Sequence, residues 1–286
     1  MINRYIVPFL QMTSWRMYQP HTGGVFHVFA VMIAVTLAVF ASVLVIRSTC
    51  SRRALSESTI ERYGAGGQTG YKKRIRVLAV LGWLMALSEI YKQLFLYYIV
   101  NEGAFDWWFF PFQLCSVPMY MCILLPLVKE KVQKILLTFM TGFTFLSAVC
   151  ALIYPEDMLR PYVSLTVHGF AWHGILLLIS IVAGASGMAD LTLKGYLRSV
   201  WLFLGLAATA VVINVIGERM SAGSALSSYP NMFYLSPFHP SNQPFVDIVE
   251  KSLGRLPAMA VYTAAIIVIA GVIDFIFRAI SRRTAY

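Results

Sequence analysis

The stretch Asp106-Trp-Trp-Phe-Phe-Pro-Phe-Gln-Leu-Cys115-Ser-Val-Pro-Met-Tyr-Met-Cys122 reads as the opening half of a membrane span. Its Trp and Phe rings sit where lipid headgroups would lie, the layer that aromatic side chains favour. A polar insertion, Gln113-Leu-Cys115-Ser116, then enters what should be hydrocarbon. Polar groups at that depth are costly and mark an internal cavity or a helix contact. Pro111 and Pro118 bracket the insertion. Each removes a backbone donor, so the spacing predicts a helix kinked or partly unwound around Cys115.

The composition fits that reading. Of 286 residues, 58% are hydrophobic and 13% charged, against about 25% charged in a soluble domain. The sequence therefore predicts an all-α, multi-pass membrane protein, with one membrane domain over 1–286. The formal charge of +10 does not point to nucleic acid. The basic residues lie between apolar runs, as the positive-inside rule arranges them. Cys50, Cys115, Cys122 and Cys150 lack metal-site spacing, so no metal and no cofactor are expected. A Cys115–Cys150 bridge near the outer surface stays open. The first long apolar run starts near Gly24 and is long enough to span, so no cleavable signal peptide is expected.

Seven spans are predicted, at 25–46, 77–100, 108–128, 135–154, 162–185, 200–216 and 256–277. Residues 1–23 read as an interfacial arm. Loop 47–76 carries Arg47, Arg52, Arg53, Arg62, Lys72, Lys73, Arg74 and Arg76 against Glu57 and Glu61, and is expected to be cytoplasmic. Its Gly64-Ala-Gly-Gly67 segment reads as a flexible linker. The acidic turns 101–106 and 155–161 fall outside, and the basic turn 129–134 inside. This arrangement puts the N-terminus outside and the C-terminus in the cytoplasm. The loop 217–255 is rich in Ser, Pro and aromatics, and such long loops serve as lids or site walls. No strong internal repeat of the inverted-transporter kind is visible.

The spans carry polar groups in one layer. Ser88, Glu89, Lys92 and Gln93 form one helical stripe, and Lys92 is placed to pair with Glu89. Such a pair either orients the helix or faces a substrate. His168 and His173 stand five residues apart, about 140° round a helix, so they are not expected to share a face. Counting inward from the outer end of each span puts Cys115 about 10 Å deep, Lys92 about 14 Å, His173 about 16 Å and Glu89 about 18 Å. A membrane Cys is ordinarily a packing residue, and a membrane His an interhelical hydrogen-bonder. A Cys, a His and charges in one layer also permit nucleophilic chemistry, with imidazole accepting the thiol proton.

The chain resembles the YwaF-type (TMEM164-like) integral membrane proteins of bacteria, which are related to an animal multispanning acyltransferase acting on ether phospholipids. The resemblance rests on Pro111-Phe-Gln-Leu-Cys115-Ser, His173-Gly174, Asn231-Met-Phe-Tyr234, and Phe245-Val-Asp-Ile-Val-Glu leading into Leu256-Pro-Ala-Met-Ala-Val-Tyr262. It covers roughly residues 75–278. It implies a seven-span bundle in a bacterial plasma membrane, with a Cys and a His essential for acyl transfer. By motif these are Cys115 and His173, with His168 a close rival. The departure lies around Arg160-Pro161 and Val167-His168-Gly169.

Three functions fit the sequence. In the first, Cys115 is the nucleophile and His173 the base of a lipid acyltransferase or hydrolase. Glu89, Lys92, Gln113 and His168 then line an outward-facing pocket, the loop with Asn231 and Tyr234 covers it, and membrane lipids are the partners. In the second, Glu89 and Lys92 bind a charged solute for transport. In the third, the protein is a non-catalytic membrane partner or sensor.

Overall fold

The computed structural model describes residues 2–17, 21–49, 62–222, 226, 228–241, 243 and 246–283. Arg52, Arg53 and Phe245 lie outside the described residues. A short helix α1 (Ile2–Met12) precedes α2 (Val25–Thr49) and α3 (Arg62–Phe95), which a π turn extends through Leu96–Val100. Then come α4 (Val117–Leu124), α5 (Glu130–Phe139), α6 (Phe145–Ile153), α7 (Val163–Ala185), α8 (Leu193–Ser221), α9 (Val246–Leu253) and α10 (Arg255–Arg283). A π turn at Met140–Thr144 joins α5 and α6 into one rod. Among the described residues, 6 helices are long and apolar enough to cross a membrane. They are helices because hydrocarbon offers no partner for backbone N–H and C=O, which must then pair within the segment.

Three sequence expectations change. The predicted span 108–128 is not one helix: only Val117–Leu127 is helical in its inner part, too short to cross alone. Helix α8 extends beyond 200–216 at both ends, and α9 with the start of α10 takes the end of 217–255, so that loop is much shorter than expected. Residues 64–67 continue helix α3 rather than forming a linker. Glycine costs a helix about 1 kcal/mol against alanine, a penalty the long helix that follows can absorb.

The unwound part of the third segment is stabilised by pairing its backbone carbonyls. The Phe109 carbonyl accepts from Gln93 Nε2 at 2.6 Å, and that of Pro111 from the Tyr120 hydroxyl at 2.9 Å. The Gln113 carbonyl accepts the Ser116 N–H at 2.8 Å, and the Cys115 carbonyl the Trp172 indole N–H at 3.0 Å. Irregular backbone at membrane depth persists only where protein satisfies it in this way. Of the kink or partial unwinding expected around Cys115, the structure has the unwinding, and no kink falls at Pro118. That proline sits in the first turn of α4, where a missing donor costs nothing.

The α5–α6 rod and α7 are the most buried long helices, and α2 is the least. Helix α2 is apolar on every side and exposes Phe29, Met32, Leu37 and Phe40, as a lipid-facing helix does. A row of stacked rings (Phe139, Phe143, Phe203, Phe233 and Phe112) runs from the rod through α8 to the loop after it. The N-terminal arm docks Leu10 among Phe95, Leu96, Tyr162 and Leu165, and Arg16 donates to the Tyr162 hydroxyl at 2.6 Å.

Helices α3 and α4 meet at Gly82, where an added Cβ would lie 2.7 Å from Cys122 Cβ and 3.0 Å from the Met119 carbonyl oxygen. Small residues permit such backbone approach in membranes. Gly82→Leu is expected to lower stability by about 1–3 kcal/mol through overpacking. Thermal unfolding in detergent checks this, and an unchanged midpoint would show that the two helices can separate freely.

Candidate functional site

The unwound segment, α3, α6, α7, α10 and the loop after α8 enclose a cavity of ≈ 650 Å³. Its wall contains Cys115, His168, His173, Glu89, Lys92, Gln113 and Tyr234. Seven of the eight side chains singled out from sequence are therefore together. Asn231 is not in the wall. It is buried, donates to the Pro240 carbonyl at 3.2 Å and accepts the Ser236 N–H at 2.9 Å, so it shapes the loop. Its side chain thus serves the loop that covers the cavity rather than the cavity wall.

Gln113 also serves the loop. Its Nε2 donates to the Asn231 carbonyl at 3.1 Å and its Oε1 accepts the Phe233 N–H at 2.9 Å. Phe233 and Tyr234 have φ of 55° and 56°, a region that large side chains rarely adopt. The Gln113 bond and the stacking of Phe233 on Phe112 at 5.9 Å hold this turn. From the other side, Asn214 on α8 grips Met232: its Nδ2 donates to the carbonyl at 3.1 Å, and its Oδ1 accepts the N–H at 2.6 Å. Arg255 ties the same turn to α10 through the Ser236 and Tyr234 carbonyls. The cavity's cover is thus bonded to three elements.

His173 is only 7% exposed. Its Nδ1 lies 2.8 Å from the Gly169 carbonyl. A carbonyl only accepts, so Nδ1 carries the hydrogen and the neutral ring keeps an Nε2 lone pair. His168 Nε2 lies 3.3 Å from Ser88 Oγ, a hydroxyl that is also 3.1 Å from the Met85 carbonyl, so either tautomer of His168 fits this contact. The two histidines share the cavity despite their 140° separation because its wall takes in Leu165, His168, Gly169, Trp172 and His173, a broad arc of α7.

Lys92 Nζ and Glu89 Oε1 are 2.8 Å apart, with side chains 17% and 6% exposed. Lys92 lines the same cavity as Cys115, His168 and His173. Tyr234 donates to Asp157 at 3.5 Å. Burial pushes its phenol well above the ordinary value, and the nearby Asp157 carboxylate adds to this, so Tyr234 is a neutral donor.

Cys115 and Cys150 are both free thiols in the wall, with no bridge between them in this structure. Cys150 and Trp172 are cavity residues that sequence reasoning missed. Trp172 stacks on His168, ring centroids 5.3 Å apart. Its position four residues after His168, one helical turn on, was the signal available. Cys150 carried no such signal.

The cavity also reaches the outer flank of the bundle. Ile153 and Tyr154 at the end of α6, and Val261 and Ile269 on α10, line it while remaining 58%, 57%, 48% and 46% exposed. The α6–α10 side of the cavity is therefore lined by apolar side chains that also reach the protein surface.

Residues 16–275 match the model of the TMEM164 family. No curated protein and no solved structure matches the chain.

Proposed function

Since the chain belongs to the TMEM164 family, a family of multi-pass membrane proteins by its helices, we propose that it is a lipid acyltransferase or lipid hydrolase that carries an acyl group on Cys115. The observation behind this reading is the shared cavity: a free thiol, two imidazoles and a lysine line one space whose α6–α10 side is apolar and reaches the protein surface. We place the opening on this side, between α6 and α10, where a lipid would enter from the bilayer. The proposed setting is a bacterial plasma membrane, with the cavity facing its outer leaflet and membrane lipids as partners.

In the first half-reaction the Cys115 sulfur attacks an ester carbonyl. A C–S bond forms, the ester C–O bond breaks, and the thiol proton passes by way of His173 Nε2 to the departing alkoxide. In the second, a hydroxyl or water attacks the thioester, gives its proton to His173, and the thiolate leaves and is reprotonated. The Lys92 charge favours both the thiolate and the oxyanion of each tetrahedral intermediate. Trp172 fixes the Cys115 backbone against the helix that carries His173.

The test is intact-protein mass spectrometry after incubation with phospholipid, with and without neutral hydroxylamine. A hydroxylamine-labile acyl mass on the Cys115 peptide is expected. Its absence from unsubstituted protein quenched with acid during turnover would refute covalent catalysis. His173→Ala, which lacks the base of both half-reactions, should form the adduct about 100-fold more slowly or worse, the scale of general-base loss. The opening makes a further prediction. Ala265 lines the cavity on α10 and is exposed. Ala265→Trp should narrow the gap and slow acylation by long-chain donors about 10-fold or more, the scale on which small geometric misplacements act, while short-chain donors are spared. Equal slowing for both chain lengths would count against lateral entry.

A further inference from the structure

We infer that Arg160 and Lys92 form a phosphate subsite in the wall of the cavity. The assignment rests on the acyl-transfer reading and adds to it the group that positions the lipid. Both cations line the cavity, and both sit against the ring of Phe109: Lys92 Nζ is 5.7 Å and Arg160 Cζ 4.8 Å from its centroid. Two elements distant in sequence thus bring positive charge to one aromatic ring. Arg160 comes from the turn between α6 and α7, and Lys92 from within α3.

Each cation keeps donors in reserve. Lys92 has three N–H groups and uses one on Glu89. Arg160 spends its Nε on the Asp157 carbonyl at 2.9 Å. Its Nη2 stands 3.9 Å from Asp157 Oδ1, beyond hydrogen-bond distance, so the guanidinium ends make no hydrogen bond among the described residues. Planar Nη groups match two oxygens of a phosphate, and an ammonium adds a point charge. The carboxylates of Glu89 and Asp157 balance the empty site, so an anion is held through directed hydrogen bonds rather than through excess charge.

The place of the subsite selects its occupant. Arg160 lies in a turn between two spans, the level at which lipid headgroups sit, and Lys92 lies further in, within α3 and in the same cavity wall as Cys115. The cavity beyond them is walled largely by apolar side chains such as Leu146, Met158 and Ile266. A phosphate carrying acyl chains satisfies both parts, whereas a free phosphate satisfies only the first. A phosphate held there would leave the adjoining ester within the cavity that also holds the thiol.

The experiment is a competition in detergent micelles. The unsubstituted protein and Arg160→Gln receive equal amounts of a diacyl phospholipid and a neutral diacylglycerol with distinguishable chains. The readout is the ratio of the two acyl masses on Cys115, which does not depend on how much protein is folded. The unsubstituted protein should prefer the phospholipid, and Arg160→Gln should lower that preference about 10- to 100-fold, the range for one lost charged hydrogen bond. Arg160→Lys should restore part of it. An unchanged ratio, with acyl-Cys115 present in both proteins, overturns the phosphate subsite alone. No acyl-Cys115 from either lipid overturns the acyl-transfer reading and the subsite with it. An arm with inorganic phosphate separates the two sources of the anion. Loss of the preference at low inorganic phosphate would mean that the site holds the free ion, and the headgroup assignment would fall.

Discussion

Cys115→Ala is expected to abolish formation of the acyl adduct and to lower lipid turnover by roughly 10⁴-fold or more, the scale on which losing a covalent nucleophile acts. The fold should survive. The substitution removes one sulfur atom and leaves the Cys115 carbonyl free to accept from Trp172, so the stability cost should be about 1 kcal/mol. Cys115→Ser should retain a trace of activity, because a hydroxyl is a poorer nucleophile near neutral pH. The measurement pairs turnover with thermal unfolding on the same samples. Full turnover by Cys115→Ala would remove Cys115 from the chemistry. Cys150, which lines the same cavity, would then be the thiol to replace.

The second large effect concerns the cover. Asn214 is fully buried and serves both backbone groups of Met232. Asn214→Leu keeps the volume and leaves an N–H and a C=O without partners, at about 1–3 kcal/mol each. The loop that carries Phe233 and Tyr234 should lift from the bundle, because the positive φ at both residues is sustained by surrounding contacts rather than by local preference. A lower unfolding midpoint and new protease cleavage within 228–241 are expected. An unaltered midpoint with full protection would show that Gln113 and Arg255 seat the loop without Asn214.

Legibility in the sequence followed the kind of physics involved. Apolar runs identified the six long helices because hydrocarbon enforces helix wherever such a run is long enough. The family could be read from the order of short motifs spread across the chain. The Glu89–Lys92 contact was legible because i and i+3 on a helix are neighbours whatever surrounds them. The prolines and the Gln-Leu-Cys-Ser insertion announced unwound backbone near Cys115, though not its extent.

Only the tertiary structure decided the rest. Whether Pro118 kinks a helix or starts one depends on whether Trp172, Tyr120 and Gln93 arrive to satisfy the freed carbonyls. Whether Asn231 meets a substrate or braces a loop depends on where Pro240 and Ser236 fold back. Arg160 drew attention in the sequence only as a departure from the family pattern, and the ring of Phe109 is what brings it beside Lys92. Helical periodicity relates residues a few positions apart. A cavity relates residues from helices distant in the chain, and the packing of those helices against one another sets its contents.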